Sequence, residues 1–200
     1  MIDVQAILDL HETTVAQWHT RDIDNPYQGF LQCVCRQHEQ NFRLWHQEDI
    51  ARSPDVGDSV VAEVKRTIDR LNQRRNDLIE QLNDFLIAEL AAAKVTAVAD
   101  ARLNTETPGS VIDRLSILAL RLYHMEEQVA RTDTGPDHLA KVKARRAILR
   151  EQHHDLAASL RELLDDIFSG RKRLKVYRQF KMYNDPTLNP YLYAGKHPAE

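Results

Sequence analysis

NFRLWHQEDIARSPDVGDSVVAEVKRTIDRLNQRRNDLIE, residues 41–80, decides how the rest of this chain is read. Ser53-Pro54 and Gly57 interrupt it, because a residue before proline is pushed out of the helical region and glycine with proline marks a turn. On either side, apolar residues recur at steps of three and four, the period of one helix face. Before the break, Leu31, Val34, Cys35, His38, Phe42 and Trp45 share a side that runs on into Asp49 and Arg52, beside a stripe of Asn41, Leu44 and Glu48. After it, Val61, Val64, Ile68, Leu71, Arg75, Leu78, Leu82 and Phe85 form a seam at coiled-coil spacing, flanked by Asp69, Asn72, Asn76 and Asn83. The stretch is therefore the turn of a helical hairpin whose core-facing positions become polar towards the turn.

Working outward, a first helix is predicted over residues 3–19 and the hairpin's helices over Phe30–Arg52 and from the Asp55–Asp58 turn to Ala92. After a linker over 93–107, Thr107-Pro108 opens a fourth helix, since threonine caps and proline suits the first helical position. Val111, Leu115, Leu118, Leu122, Met125 and Val129 make one apolar stripe there, and Ile112, Ile117, Ala119 and Leu120 extend it nearly all round, which marks the most buried helix. A fifth helix spans about Pro136–Ser169 and stops at Gly170; Arg146 and His153 interrupt its seam. The expected fold is all-α: an elongated bundle of about five main helices, with the long third and fifth helices as antiparallel struts. One domain covers residues 1–184 and an irregular tail 185–200.

Composition agrees with long helices: glycine and proline total 13 of 200 residues, about half of average usage. The net charge of −3 argues against a nucleic-acid binder, which needs many cations to neutralise phosphates. Residues 171–183 hold six Lys/Arg and no acid, so the body is acidic and the C-terminal arm basic, and docking of the arm on the body accounts for both. Cys33 and Cys35 point to different helix faces and cannot pair there. No apolar run approaches the ~20 residues of a membrane span. With no signal-like start, the chain reads as cytoplasmic.

The polar intruders group as Trp45, Glu48, Asp49 and Arg52 on the second helix, Asp69, Asn72, Arg75 and Asn76 on the third, and Arg146 and His153 on the fifth. An arginine on a seam needs a carboxylate opposite it. Two arrangements satisfy that need: a buried ion-pair network fixing helix register, or a polar cavity of the kind in which bundles hold ligands. In the second, Arg75 with Lys175 or Lys181 holds a small anion, Glu48 and Asp49 serve as acid/base or metal-holding groups, and Asn72 and Asn76 orient the ligand. A di-iron site is unsupported, because only Glu151-x-x-His154 has the required spacing. A divalent metal on Glu48, Asp49, Asp77 and Glu80 is the weaker alternative; His46, His124, His153 and His154 read as surface or core residues. The backbone N–H groups of Thr105–Ser110 offer either an anion site or ordinary capping. No phosphate-binding loop, nucleophile elbow or zinc-protease motif occurs.

Several segments then resemble a known family. Asn41-x-x-Leu-Trp-His-x-Glu-Asp-x-Ala-Arg52, Lys65-Arg-x-Ile-Asp-x-x-Asn-Gln-x-Arg-Asn-Asp77, Glu106-Thr-Pro-Gly-Ser-x-Ile-Asp-Arg-Leu-Ser116, Tyr123-His-Met125 and Phe180-Lys-x-Tyr-Asn-Asp-Pro186 are similar to the bacterial domain-of-unknown-function 4254 family. The resemblance implies no established activity. It tilts the ligand towards phosphorylated sugars, because such genes can sit near glycosyltransferases of surface-polysaccharide assembly. Two functions follow as expectations: a site, catalytic or not, for a small anionic ligand of phosphorylated-sugar or nucleotide type, or a non-catalytic homo-oligomer or adaptor whose polar seam only sets helix pairing.

Overall fold

The computed structural model describes residues 2–178 and 187–188. Five helices make up the fold: α1 (Val4–Trp18), α2 (Gly29–Arg52), α3 (Asp58–Ala92), α4 (Pro108–Ala130) and α5 (Pro136–Phe168). Two-residue strands β1 (Arg102–Leu103) and β2 (Lys172–Arg173) follow α3 and α5 and pair in parallel. Local chemistry explains the starts. The Asp3 carboxylate accepts from the backbone N–H groups of Gln5 and Ala6, and Thr107 accepts from that of Ser110, with Pro108 in the first turn of α4. Among the described residues no helix is long and apolar enough to cross a membrane.

Contacts along the helices give their directions. On α3 and α4, Asn83 meets Gly109 while Arg75 meets Asp113, so these helices run in opposite senses. Arg146 and Arg150 both reach Glu126, twenty or more residues back along α4 across the α4/α5 turn, so α5 also opposes α4. Thus α3 and α5 run the same way, as the parallel β1/β2 pair requires, and are not an antiparallel pair of struts. The long antiparallel pairs are α2/α3 and α4/α5. Helix α4 sits in the middle, touching the other four, and its Ile112, Leu115 and Leu120 join Ile7 and Leu10 of α1, Leu78, Leu82 and Leu86 of α3 and Leu160 of α5 in one core. Near the α2/α3 turn, Leu44, Val64 and Ile68 form a small cluster of their own. Phe85, expected on the seam, is exposed and Leu86 is buried instead. The buried row steps by four through Leu78, Leu82 and Leu86, as in a straight helix not held to a heptad.

Asn83, read as part of a polar stripe, holds the start of α4. Its Oδ1 accepts from the Gly109 N–H at 2.9 Å and its Nδ2 donates to Thr107 Oγ1 at 3.0 Å. A Cβ on Gly109 would lie 2.7 Å from the Ile79 carbonyl oxygen and 2.8 Å from Asn83 Oδ1. Gly109→Ala is therefore expected to cost about 1–3 kcal/mol, the usual range for overpacking. A urea midpoint unchanged from the parent would show that α3 and α4 separate freely there.

The basic arm docks on its own body as far as it is described. The Lys175 N–H donates to Asn104 Oδ1 at 2.8 Å, and Arg178 pairs with Glu80 at 3.3 Å and with Asp84. Phe180, Lys181, Tyr183 and all of the 185–200 tail except Thr187 and Leu188 lie outside the described residues.

Candidate functional site

The two hairpins meet along α2, α3 and α4, while α5 hardly touches α2 or α3. One face of α4 is consequently left open between them: Arg114 and Arg121 are exposed and Ile117 is half-buried. Three recesses lie along this face, of about 570, 440 and 360 Å³, and Arg121 borders all three. Arg121 has no ion-pair partner among the described residues.

The recess of about 360 Å³ brings together Trp45, Glu48, Asp49, Arg52, Asn72 and Arg75, with Arg121 on its α4 side. Glu48 and Arg52 pair at 3.0 Å, one helical turn apart. Asp49 is exposed, with no ion pair among the described residues. Trp45 is fixed in plane by stacking on His124, rings 4.6 Å apart and 10° from parallel, and His124 Nδ1 lies 2.8 Å from Glu127 Oε2. Asp69, Asn76 and Lys175 do not line the recess. Asp69 is exposed, and at about 100° per residue both it and Asn76 sit some 100–120° round α3 from Arg75. Lys175 is held at Asn104, and Lys181 is outside the described residues. Arg146 and His153 belong to the other side of α4. There Glu126 takes Arg146 at 2.7 Å and Arg150 at 2.6 Å, which holds its carboxyl below the usual range, and His153 borders a separate pocket against α1.

Beneath the cleft lies a buried polar network. Gln37 Nε2 and Asn41 Nδ2 donate to Asp113 Oδ1 at 2.6 and 2.9 Å, and Asn41 Nδ2 also donates to Ser116 Oγ at 2.9 Å. His38 Nδ1 lies 2.7 Å from the same hydroxyl, and Arg75 Nε is 3.8 Å from Asp113 Oδ1. Burial pushes the Asp113 carboxyl up, partly offset by the Asn41 hydrogen bond and by Arg75. The His38 ring lies between His11 and Trp18, at 4.7 and 5.3 Å, and burial drives its pKa down to about 3. The side chains that join α2, α3 and α4 in this network are distinct from those lining the cleft, apart from Asn41 and Arg75, which belong to both.

Other chemistries find little here. Burial raises the Cys33 and Cys35 thiols to about 11 and about 12, so neither is a ready nucleophile. Among the described residues no group of three or more His, Cys, Asp or Glu could hold a metal ion; of the four acids considered for one, Glu48 and Asp49 line the cleft and Asp77 and Glu80 do not. The α4 N-terminus is taken up by Asn83 and Thr107. Sequence reasoning passed over Arg121 because its helix read as apolar nearly all round. The signal was the spacing of Arg114, Arg121 and Gln128, each seven apart and so on one face.

No curated protein and no solved structure matches the chain. Residues 31–176, from early α2 past the end of α5, match the family model described as "Protein of unknown function (DUF4254)", and the chain belongs to that family.

Proposed function

We propose that the cleft between the two hairpins binds a small anionic ligand of phosphorylated-sugar or nucleotide type. The observation that carries this reading is Arg121, exposed and without an ion pair among the described residues, where three recesses meet. A guanidinium free to form two parallel hydrogen bonds suits a phosphate or carboxylate. Arg75 adds positive charge on the facing wall, and Asn72, Glu48 and Asp49 supply groups suited to hydroxyls. The adaptor reading draws on the buried network around Asp113, which joins α2, α3 and α4 without needing a ligand. That network leaves the open, arginine-lined face unaccounted for.

The test is a thermal-shift and calorimetric titration with inorganic phosphate and ribose 5-phosphate, run on the parent protein, Arg121→Gln and Glu48→Gln. Loss of one charge-assisted pair costs about 1.5–3 kcal/mol, so Arg121→Gln is expected to weaken binding roughly 10- to 100-fold. Equal stabilisation of parent and Arg121→Gln would place the anion elsewhere and overturn the reading.

A further inference from the structure

The recess of about 440 Å³ between α4 and the first half of α5 differs in character from the polar one beside it. Its walls are Trp45, Met125, Ile148 and Leu149, its polar lining is two arginines, two glutamines and His124, and no carboxylate among the described residues borders it. The volume falls within the ~300–1,000 Å³ common for small-molecule sites. Arg121 and Arg145 stand on its rim, and Arg145, like Arg121, has no ion-pair partner among the described residues. Ile148 is 54% exposed, a large apolar side chain left facing solvent at the recess. Trp45 and Arg121 border both this recess and the polar one, so a ligand held by Arg121 can extend into either.

We infer that the ligand is a nucleotide, its phosphate at Arg121 and its base lodged in the recess against Trp45, Met125, Ile148 and Leu149. The inference rests on the anion-binding role proposed for the cleft and adds the identity of the attached group. Three features favour a planar heterocycle over an alkyl chain. Trp45 is held in a set plane by His124, which makes it a stacking surface, and aromatic platforms of this kind bind bases of any sequence. Met125 supplies a polarisable thioether of the sort that packs well on aromatic rings. Gln128 and Gln152 place amides, each able both to donate and to accept, on an otherwise apolar wall. A base edge can use such groups, and an alkyl chain cannot. The absence of any carboxylate from this lining also removes repulsion from the phosphate.

Calorimetric titration of the full chain with AMP, ribose 5-phosphate and octyl phosphate tests this, together with Ile148→Ser and Arg121→Gln. AMP is expected to bind at least about 10-fold more tightly than ribose 5-phosphate, the scale of one base stacked on an aromatic side chain. Ile148→Ser, at an exposed position, should remove most of that advantage, and AMP should quench Trp45 fluorescence. Equal binding of AMP and ribose 5-phosphate, both sensitive to Arg121→Gln, would overturn the base recess and leave the anion site standing. Octyl phosphate binding more tightly than AMP would replace the base with an alkyl chain and overturn the inference. Binding of none of these probes, or binding indifferent to Arg121→Gln, would overturn the anion site and the nucleotide with it.

Discussion

Replacing Asp113 with alanine is expected to destabilise the protein by about 2–4 kcal/mol, the cost of leaving the buried partners of a carboxylate unsatisfied. For a chain of this size that lowers the thermal midpoint by on the order of 10 °C. The reason is convergence. Oδ1 of this one carboxylate accepts from Gln37 and Asn41 of α2 and faces Arg75 of α3, so two helices meet on an α4 side chain only 12% exposed. Alanine strands the Gln37 amide, whose Oε1 already lacks a partner, and leaves Arg75 Nε, also unpartnered, with no facing charge. Asn41 loses less because it keeps Ser116.

Asp113→Asn separates the two contributions. An amide oxygen still accepts from Gln37 and Asn41 but no longer compensates Arg75, so a smaller loss of about 1–2 kcal/mol is expected. Joint replacement of Gln37 and Asp113 by leucine should be milder than Asp113→Ala alone, because it removes the donor along with the acceptor and fills the space. The measurement is the urea midpoint of each variant. An Asp113→Ala midpoint within 1 kcal/mol of the parent (a small fraction of the ~5–15 kcal/mol typical of domains) would mean that packing alone sets the register of α2 on α4.

The helices were legible because their signals are local. Proline at position 54, Thr107-Pro108 and Gly170 mark boundaries that the backbone alone enforces, and apolar steps of three and four mark the faces. Helix direction was not legible. Whether α3 opposes or follows α5 depends on which hairpin each belongs to, and heptad spacing carries no sign. The candidate site divides in the same way. Trp45, Glu48, Asp49 and Arg52 fall on one continuous stripe, so periodicity grouped them. Asp69 and Asn76 were grouped with Arg75 on a stripe too wide for one face, and about 100° per residue turns them away. Arg121 went unnoticed because an exposed arginine on an apolar helix is informative only once the gap in the layer around α4 is known. His38 was read as part of the apolar face of α2, and its ring neighbours His11 and Trp18 come from α1 and could be placed only in three dimensions.

Those histidines set the second large expectation, which is that stability falls steeply below about pH 6.5, the ordinary histidine value. His11 and His38 are both fully buried, and neither ring nitrogen of His11 nor Nε2 of His38 has a partner. Burial lowers the pKa of His11 well below normal, with His38 and His153 adding to the shift, and brings that of His38 to about 3. A depressed folded value means that the unfolded chain takes up protons first. The stabilisation is complete above pH 6.5 and is lost as pH falls towards the folded value, at about 1.4 kcal/mol per pH unit for each histidine. Two such residues remove about 4 kcal/mol between pH 6.5 and 5, with partly buried His46 and His153 shifted the same way, a large share of a typical stability of ~5–15 kcal/mol. Asp113 works in the opposite direction, since its raised value favours the folded state as pH falls through that value, which lies above the ordinary carboxylate range. Urea midpoints between pH 7.5 and 5, compared between the parent and histidine-to-leucine variants, isolate the histidines, because unperturbed carboxylates titrate near pH 4 and Asp113 is common to every variant. His38→Leu keeps the Asn41–Ser116 bond and should flatten the slope in that window by about half, and His11→Leu likewise. A parent midpoint that stays level from pH 7.5 to 5, or a slope unchanged in both leucine variants, would show that water or a local opening reaches these rings and lets them titrate in the folded state.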